Sequence, residues 1–349
     1  MNDRRTIGHV ATAILVIALL HFAKPIFAPL VFSFFVIALA RPVQAAVQRR
    51  APKLLALLIT LGLTVLLIVV IGSLTAWAFG KLAQWLFLNV GRFQAIYTDL
   101  VSWLEAHGIH IVGPVTDRFN VAWFIGVVQG IAGRLNGLAG FAVLVFVFTM
   151  LGLLEIDEFV MRLCQPVAQP FGDKILRANR KIGTKLRRFI FVRTLASVLT
   201  GFAVWAFALA AGLEIAVAWG AIAFVLNYIP FLGSLVATTL PTLFAIAQFD
   251  SLKMAIFVFV GLNVIQFIIG SYFEPLLAGV SLELSPFAVI FAVFFWTFLW
   301  GIAGAFIGVP MLIAFIAYCE QAPSSRWLAA LLSRGTAVTE STSSDLSPR

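Results

Sequence analysis

Two long runs of this chain, 215–249 and 284–319, contain no charged residue. A helix crosses a bilayer core with about 20 apolar residues, in a range of about 17–25, so each run is too long for one crossing. Each also carries helix breakers near its middle. Pro230 and Gly233 interrupt the first, and Gly301 and Gly304 the second, with Pro310 beyond. Each run is therefore expected to fold back as a helical hairpin. Half-runs of about 15 residues make about 22 Å of helix, against a hydrocarbon core of about 30 Å.

Composition agrees. Of the 349 residues 62% are apolar and 11% charged, and mean hydropathy is +1.04. Soluble domains average about 45–50% apolar and about 25% charged, so an ordinary soluble enzyme is excluded. The 34 phenylalanines exclude a disordered chain. Further uncharged stretches at 6–23, 54–80, 135–154, 194–213 and 254–273 fit one crossing each. The shorter stretch 25–40 fits if Lys24 and Arg41 snorkel at its ends. The N-terminus, MNDRR and then an apolar run to Ala23, resembles a signal sequence but lacks a small-x-small cleavage site. It is read as an uncleaved first span.

Basic residues set the orientation. Arg4 and Arg5 precede the first span, and Arg41, Arg49, Arg50 and Lys53 follow the second. Arg162, Lys174, Arg177, Arg180, Lys181, Lys185, Arg187 and Arg188 lie between the fourth and fifth. Segment 81–134 has only Lys81, Arg92, Arg118 and Arg134 against Asp99, Glu105 and Asp117. Excess Lys and Arg marks cytoplasmic loops, so both termini, 41–53 and 155–190 are expected in the cytoplasm and 81–134 outside. This also accounts for the net charge of +9 without nucleic acid.

The outward segment reads as amphipathic helices. Leu82, Trp85, Leu86, Phe93, Tyr97, Leu100 and Trp103 share one apolar face, Gly108 to Pro114 breaks it, and Phe119, Trp123 and Val127 begin another. This face lies on the membrane or on the protein's own bundle, or it contacts another subunit. In 173–190 Lys174, Arg177, Lys181, Lys185 and Arg188 share one face and Ile175, Ile182, Leu186 and Phe189 occupy another, which suits anionic lipid headgroups. The Ser/Thr-rich end of the chain, within 321–349, is expected to be a largely disordered cytoplasmic tail.

The expected fold is an all-α polytopic membrane protein of about eight membrane segments. Three N-terminal spans fill 1–80, the outward helices 81–134, a fourth span 135–154 and the basic segment 155–190. Two span-plus-hairpin units complete it at 191–250 and 251–320. Counting sides gives these units opposite orientations. Inverted repeats with broken helices are a secondary-transporter signature.

The residues themselves carry a resemblance. Asn227-Tyr228-Ile229-Pro230-Phe231-Leu232-Gly233-Ser234 with Pro241, then Glu274-Pro275-Leu276-Leu277-Ala278-Gly279 and Leu284-Ser285-Pro286 form the first blocks. Trp300-Gly301-Ile302-Ala303-Gly304-Ala305 and Val309-Pro310 complete them. In order and spacing these blocks resemble the autoinducer-2 exporter family of bacterial permeases. The resemblance implies a multi-pass inner-membrane permease, a homo-oligomer, and export of a small furanone-type signal or sodium/proton exchange.

Candidate path residues emerge from the groups that a bilayer penalises. Breakers free backbone groups that protein or a water-filled cavity must satisfy. Ser234, Thr238 and Thr239 lie just past the first tip and either meet a polar solute or bond back to their own helix. Asn227, Asn263 and Gln266 are amides in uncharged runs, so each serves as interhelical glue or as a solute ligand. Glu274, beside Pro275, faces a cavity or is a solvated helix end. The path is expected to run past the 230–234 and 301–304 tips. Bulk at Gly233 is expected to block flux and leave assembly intact.

Enzyme motifs for zinc, phosphate or nucleophilic chemistry are absent, His9, His21, His107 and His110 are scattered, and no cofactor is implied. The reading is a secondary transporter or facilitator for a small polar metabolite. A sodium/proton antiporter and a non-transporting scaffold are the alternatives. A cysteine placed at position 105 should react with an impermeant thiol reagent in intact cells; protection there with labelling at position 180 would reverse this orientation.

Overall fold

The computed structural model describes residues 2–107, 121–168, 171–278, 284–321 and 325–333. Gly108 to Pro114, Gly279, Glu283 and the chain end from 334 lie outside the described residues. The elements in order are α1 (Asn2–Phe22), α2 (Lys24–Gln48), α3 (Lys53–Leu88), α4 (Val90–Ala106) and α5 (Val121–Leu163). Next come α6 (Phe171–Ala210), α7 (Ala216–Leu226), α8 (Leu232–Phe249) and α9 (Leu252–Ile268). A π-turn (Ile269–Phe273) leads into α10 (Glu274–Ala278), then α11 (Pro286–Trp300), α12 (Ile302–Cys319) and α13 (Arg326–Leu332). The protein is an all-α polytopic membrane protein. Seven helices among the described residues are long and apolar enough to cross a membrane.

Three of these helices outrun the bilayer. α3, α5 and α6 have 36, 43 and 40 residues, or about 54, 65 and 60 Å of helix against a core of about 30 Å. The charge-defined boundaries at 80, 134 and 190 are therefore not helix ends. Charged side chains mark where hydrocarbon stops. A helix stops only where its backbone bonding fails, and no proline interrupts these junctions.

The hairpins form where expected, with unequal arms. The first has 11 residues in α7 and 18 in α8. The second has 15 in α11 and 18 in α12. α7 thus reaches only about 16 Å, roughly half the core.

The described residues fall into two compact units, one within Met1–Thr64, Leu144–Val192 and Leu276–Arg349, the other within Val65–Val143 and Arg193–Pro275. This division differs from the repeat grouping. α9 shares a unit with the first hairpin, and the second hairpin shares one with the N-terminal helices.

In the unit holding the first hairpin, α6, α7, α8 and α9 close around Val204, Trp219, Ile222, Phe244, Val258 and Leu262. Small residues let α6 and α7 approach. A methyl on Gly220 would sit 2.7 Å from the Gly201 carbonyl oxygen and 2.6 Å from Trp205 Cβ. Trp85 is buried here, 3.8 Å from the Phe244 ring centroid, with Phe93 packed edge-on. This part of the outward apolar face is covered by the chain itself. Trp85 Nε1 donates to Glu214, and the Gln248 side chain bridges Glu214 N–H and Gly212 C=O. These ties join segments that the charge pattern placed on one side.

In the other unit, Ile37 and Ala40 of α2, Leu57 and Leu61 of α3 and Leu153 of α5 form one core. α11, α12 and α13 form another around Ala292, Leu312, Ile316 and Ala329. The segment after residue 321 is thus not simply a tail. α13 folds onto the second hairpin, and Ser285 N–H bonds Leu332 C=O at 2.9 Å.

Basic residues gather at one end of this unit and are spent on protein partners. Lys53 meets Asp157 at 2.9 Å, and Lys181 and Lys185 reach Glu320 at 2.5 and 3.0 Å. Arg188 donates to the Leu277 carbonyl at 2.7 Å. Arg187 donates at 3.4 Å to the Ala38 carbonyl, which Pro42 leaves without its helical donor. Lys174, Arg177 and Arg180 are exposed.

Burial pushes the Glu320 carboxyl up, but hydrogen bonds and charge from Lys181 and Lys185 outweigh it and hold the group below its ordinary 4.5. A lowered carboxyl contributes stability above its unfolded value and loses it as pH falls through the folded one. Glu320→Gln should therefore lower thermal stability at neutral pH, and parent and variant should converge well below pH 4.5. A gap that persists unchanged in acid would mean that the ion pairs do not carry the effect.

Candidate functional site

The first hairpin turns on five residues. α7 ends at Leu226, Asn227 caps it, and α8 starts at Leu232. Between them, Leu232 N–H bonds Pro230 C=O at 2.7 Å around Phe231, whose φ is 62° and ψ −55°. That is a γ-turn of the positive-φ kind, which is rare and strained for a residue with a side chain. Phe231 remains 52% exposed.

Polar side chains around this turn bond neighbouring helices in the same unit. Asn227 Nδ2 donates to Ser197 Oγ at 3.2 Å, and Tyr228 Oη to Thr194 Oγ1 at 3.0 Å. Ser234 Oγ donates to Gln266 Oε1 at 3.2 Å. The tip is thus stitched to α6 on one side and α9 on the other. Asn227, Ser197 and Thr200 are buried.

One turn before Ser197 on the same α6 face lies Arg193, only 9% exposed. Its Nη1 pairs with Glu274 Oε1. The π-turn immediately precedes Glu274, and its extra residue resets the helical register from Glu274 onward. Glu274 is therefore no solvated helix end. Its side chain is 27% exposed and engaged with a buried cation. Breaking a fully buried ion pair by removing one partner costs about 3–5 kcal/mol, and the exposure of Glu274 reduces that here.

The sequence-selected residues divide accordingly. Asn227 pairs with Ser197, Ser234 with Gln266 and Glu274 with Arg193, while Pro230 and Gly233 shape the turn that Asn227 and Ser234 flank. Pro275, next after Glu274, is exposed. Asn263 stands apart, because it is exposed and its Nδ2 bonds back to Phe259 C=O at 2.8 Å. Thr238 likewise bonds back to Ser234 C=O. Arg193, legible in the sequence as a charge one turn inside an apolar span, is not among the candidate path residues. Tyr228 sits inside the recognised block, where the residues alone assign it no role.

The second hairpin shares the turning device and not the polar chemistry. Gly301 has φ 65° and ψ −139°, a conformation open essentially to glycine alone. Trp300 Nε1 pins the tip to the Leu20 carbonyl at 3.0 Å. In both hairpins a glycine in the first turn of the second arm presses on the end of the first. A methyl on Gly233 would collide with the Leu226 carbonyl oxygen, and one on Gly304 with that of Trp296. Gly308 crosses 2.9 Å from Val293 Cα, measured from where its methyl would stand, and Pro310 is buried inside α12.

Comparison with known proteins adds an independent line. The profile of the family described as "AI-2E family transporter" matches residues 10–324. The chain is 24% identical to the AI-2 transport protein TqsA of Escherichia coli (strain K12) over 335 residues, 95% of this chain and 96% of that one. A Haemophilus influenzae relative, named for transport without a substrate, is 24% identical over 95% of this chain and 97% of its own. YrrI of Bacillus subtilis (strain 168), also named for transport, is 27% identical over 82% and 84%.

The glycine contacts revise the expectation for Gly233. The position is a packed backbone crossing, so Gly233→Val should disrupt assembly itself. Gly233→Ala and Gly304→Ala should each lower the unfolding temperature of the detergent-solubilised protein. Gly301→Ala should do so through backbone strain alone, about 1–3 kcal/mol, because its methyl meets nothing within 4 Å. Gly270→Ala, equally open and helical, should be neutral. A Gly233→Val protein that assembles normally would show that the tip has free space.

Proposed function

The chain belongs to the AI-2E family of transporters, and from that premise we propose that it is a secondary transporter or facilitator. It moves a small polar metabolite, of the class of the autoinducer-2 signal named for TqsA, out of the cell across a bacterial inner membrane. Its termini face the cytoplasm. The observation that carries this reading is the set of polar side-chain contacts around a broken membrane hairpin. Asn227, Tyr228 and Ser234 at the tip, with Arg193, Gln266 and Glu274 on the helices bonded to it, place amide, hydroxyl and charged groups within runs that are otherwise apolar. A purely structural turn needs its backbone satisfied; it does not need an ion pair and two amides beside it.

In this reading the Pro230 to Ser234 tip is a gate and its polar neighbours form the solute path. Gly301, Gly304 and Pro310 shape a second gate element in the other unit. A second reading, cation–proton exchange, is favoured by the Glu274 carboxylate alone. Anionic lipid at the exposed basic residues of α6 and a homo-oligomeric assembly belong to the same proposal.

The test is solute flux in proteoliposomes, with and without a proton or sodium gradient. Autoinducer-2 uptake into inverted vesicles should depend on the protein and fall at least about ten-fold in Ser234→Leu, where a solute ligand becomes apolar. Cation exchange without solute movement would favour the second reading. No protein-dependent flux of either kind would leave a scaffold.

A further inference from the structure

Arg193 has more donors than partners. A guanidinium presents five N–H groups in a planar fork suited to two coplanar oxygens. Here Nη1 meets Glu274 Oε1, while buried Nε has no hydrogen-bond partner among the described residues. The residue is only 9% exposed, in a helix long and apolar enough to span a membrane. Leaving such a donor unmet costs about 1–3 kcal/mol, more for a charged group. A merely structural ion pair would be expected to use the fork in full, with two parallel contacts.

The surroundings suit an oxygen-rich anion. Thr194, next in the chain, and Tyr228 bond each other through their hydroxyls at 3.0 Å. Asn227 and Ser197 hold a neutral amide–hydroxyl pair one turn along α6. No second cation joins Arg193 in the described cluster, so one negative charge is the complement.

Resting on the transport reading of this cluster but taking the solute class from Arg193 and not from the autoinducer-2 likeness, we propose that Arg193 is the recognition site for a small hydroxylated monoanion of the carboxylate type, with Glu274 as its resident stand-in. The solute's two oxygens take the Nε–H and an Nη–H of the fork, and its hydroxyl meets the Thr194–Tyr228 pair. Glu274 competes for the same cation and returns to it when the solute leaves. Arg193 keeps one carboxylate partner in both states, and Glu274, whose side chain is 27% exposed, turns to solvent while the solute is bound.

The experiment is equilibrium binding to the purified full-length protein in detergent, at constant ionic strength set with sodium chloride. The probe is sodium lactate, and its uncharged amide, lactamide, is the control. The parent should bind lactate in preference to lactamide. Glu274→Gln should bind lactate at least about ten-fold tighter, because the competitor has lost its charge. Arg193→Lys keeps a cation but not the fork and should bind at least about ten-fold more weakly. Equal binding of lactate and lactamide by the parent would overturn the proposal whatever the variants do. So would a Glu274→Gln affinity no greater than the parent's. Intact solute flux alongside either result would sink the anion site and leave the transport reading standing. Selective lactate binding without any flux would do the reverse.

Discussion

A backbone carbonyl inside a bilayer has no water to turn to, and this structure is arranged around that fact. The hairpins must reverse direction where the chain can least tolerate loose polar groups. Both do so by pressing a glycine against the end of the preceding arm, Gly233 on Leu226 and Gly304 on Trp296. The same pressure explains Arg187 at the Ala38 carbonyl, which Pro42 deprives of its donor. It explains Trp300 at the Leu20 carbonyl as well. Proline and glycine loosen the helices, and neighbouring donors or close packing make good the loss.

Much of this was legible in the residues, for a physical reason. Charge-free runs longer than any single crossing can only fold back, and Pro230, Gly233 and Gly301 showed where. Basic residues grouped segments by side, and ion pairs such as Lys53 with Asp157 and Lys185 with Glu320 tie grouped segments together within one unit. What charge does not encode is where a helix ends, so α3, α5 and α6 ran past their expected limits. Nor does it encode partners far apart in the chain. The residues left Glu274 open between a cavity and a solvated helix end, because its partner Arg193 lies 81 residues earlier. Asn263 looked equivalent to Gln266, yet one bonds its own helix and the other reaches Ser234.

The basic start of α6 illustrates how a composition argument narrows once geometry is known. A row of Lys and Arg suits anionic lipid. Four of its members instead hold the protein together, through Glu320, Leu277 and Ala38. Only Lys174, Arg177 and Arg180 are left exposed without such a role among the described contacts. Trp85 and Phe93 tell a similar story, since an apolar face that suggested a partner subunit packs partly on Phe244 of its own chain.

Phe231 has a consequence for how the first tip behaves. Its γ-turn holds about 1–3 kcal/mol above a relaxed backbone, and its ring is half-exposed. What keeps it there is the bonding on either side, from Asn227 and Tyr228 before the turn and Ser234 after it. The tip is in effect a cocked latch: whatever takes away one of those hydroxyl or amide partners also removes part of the restraint that holds the turn.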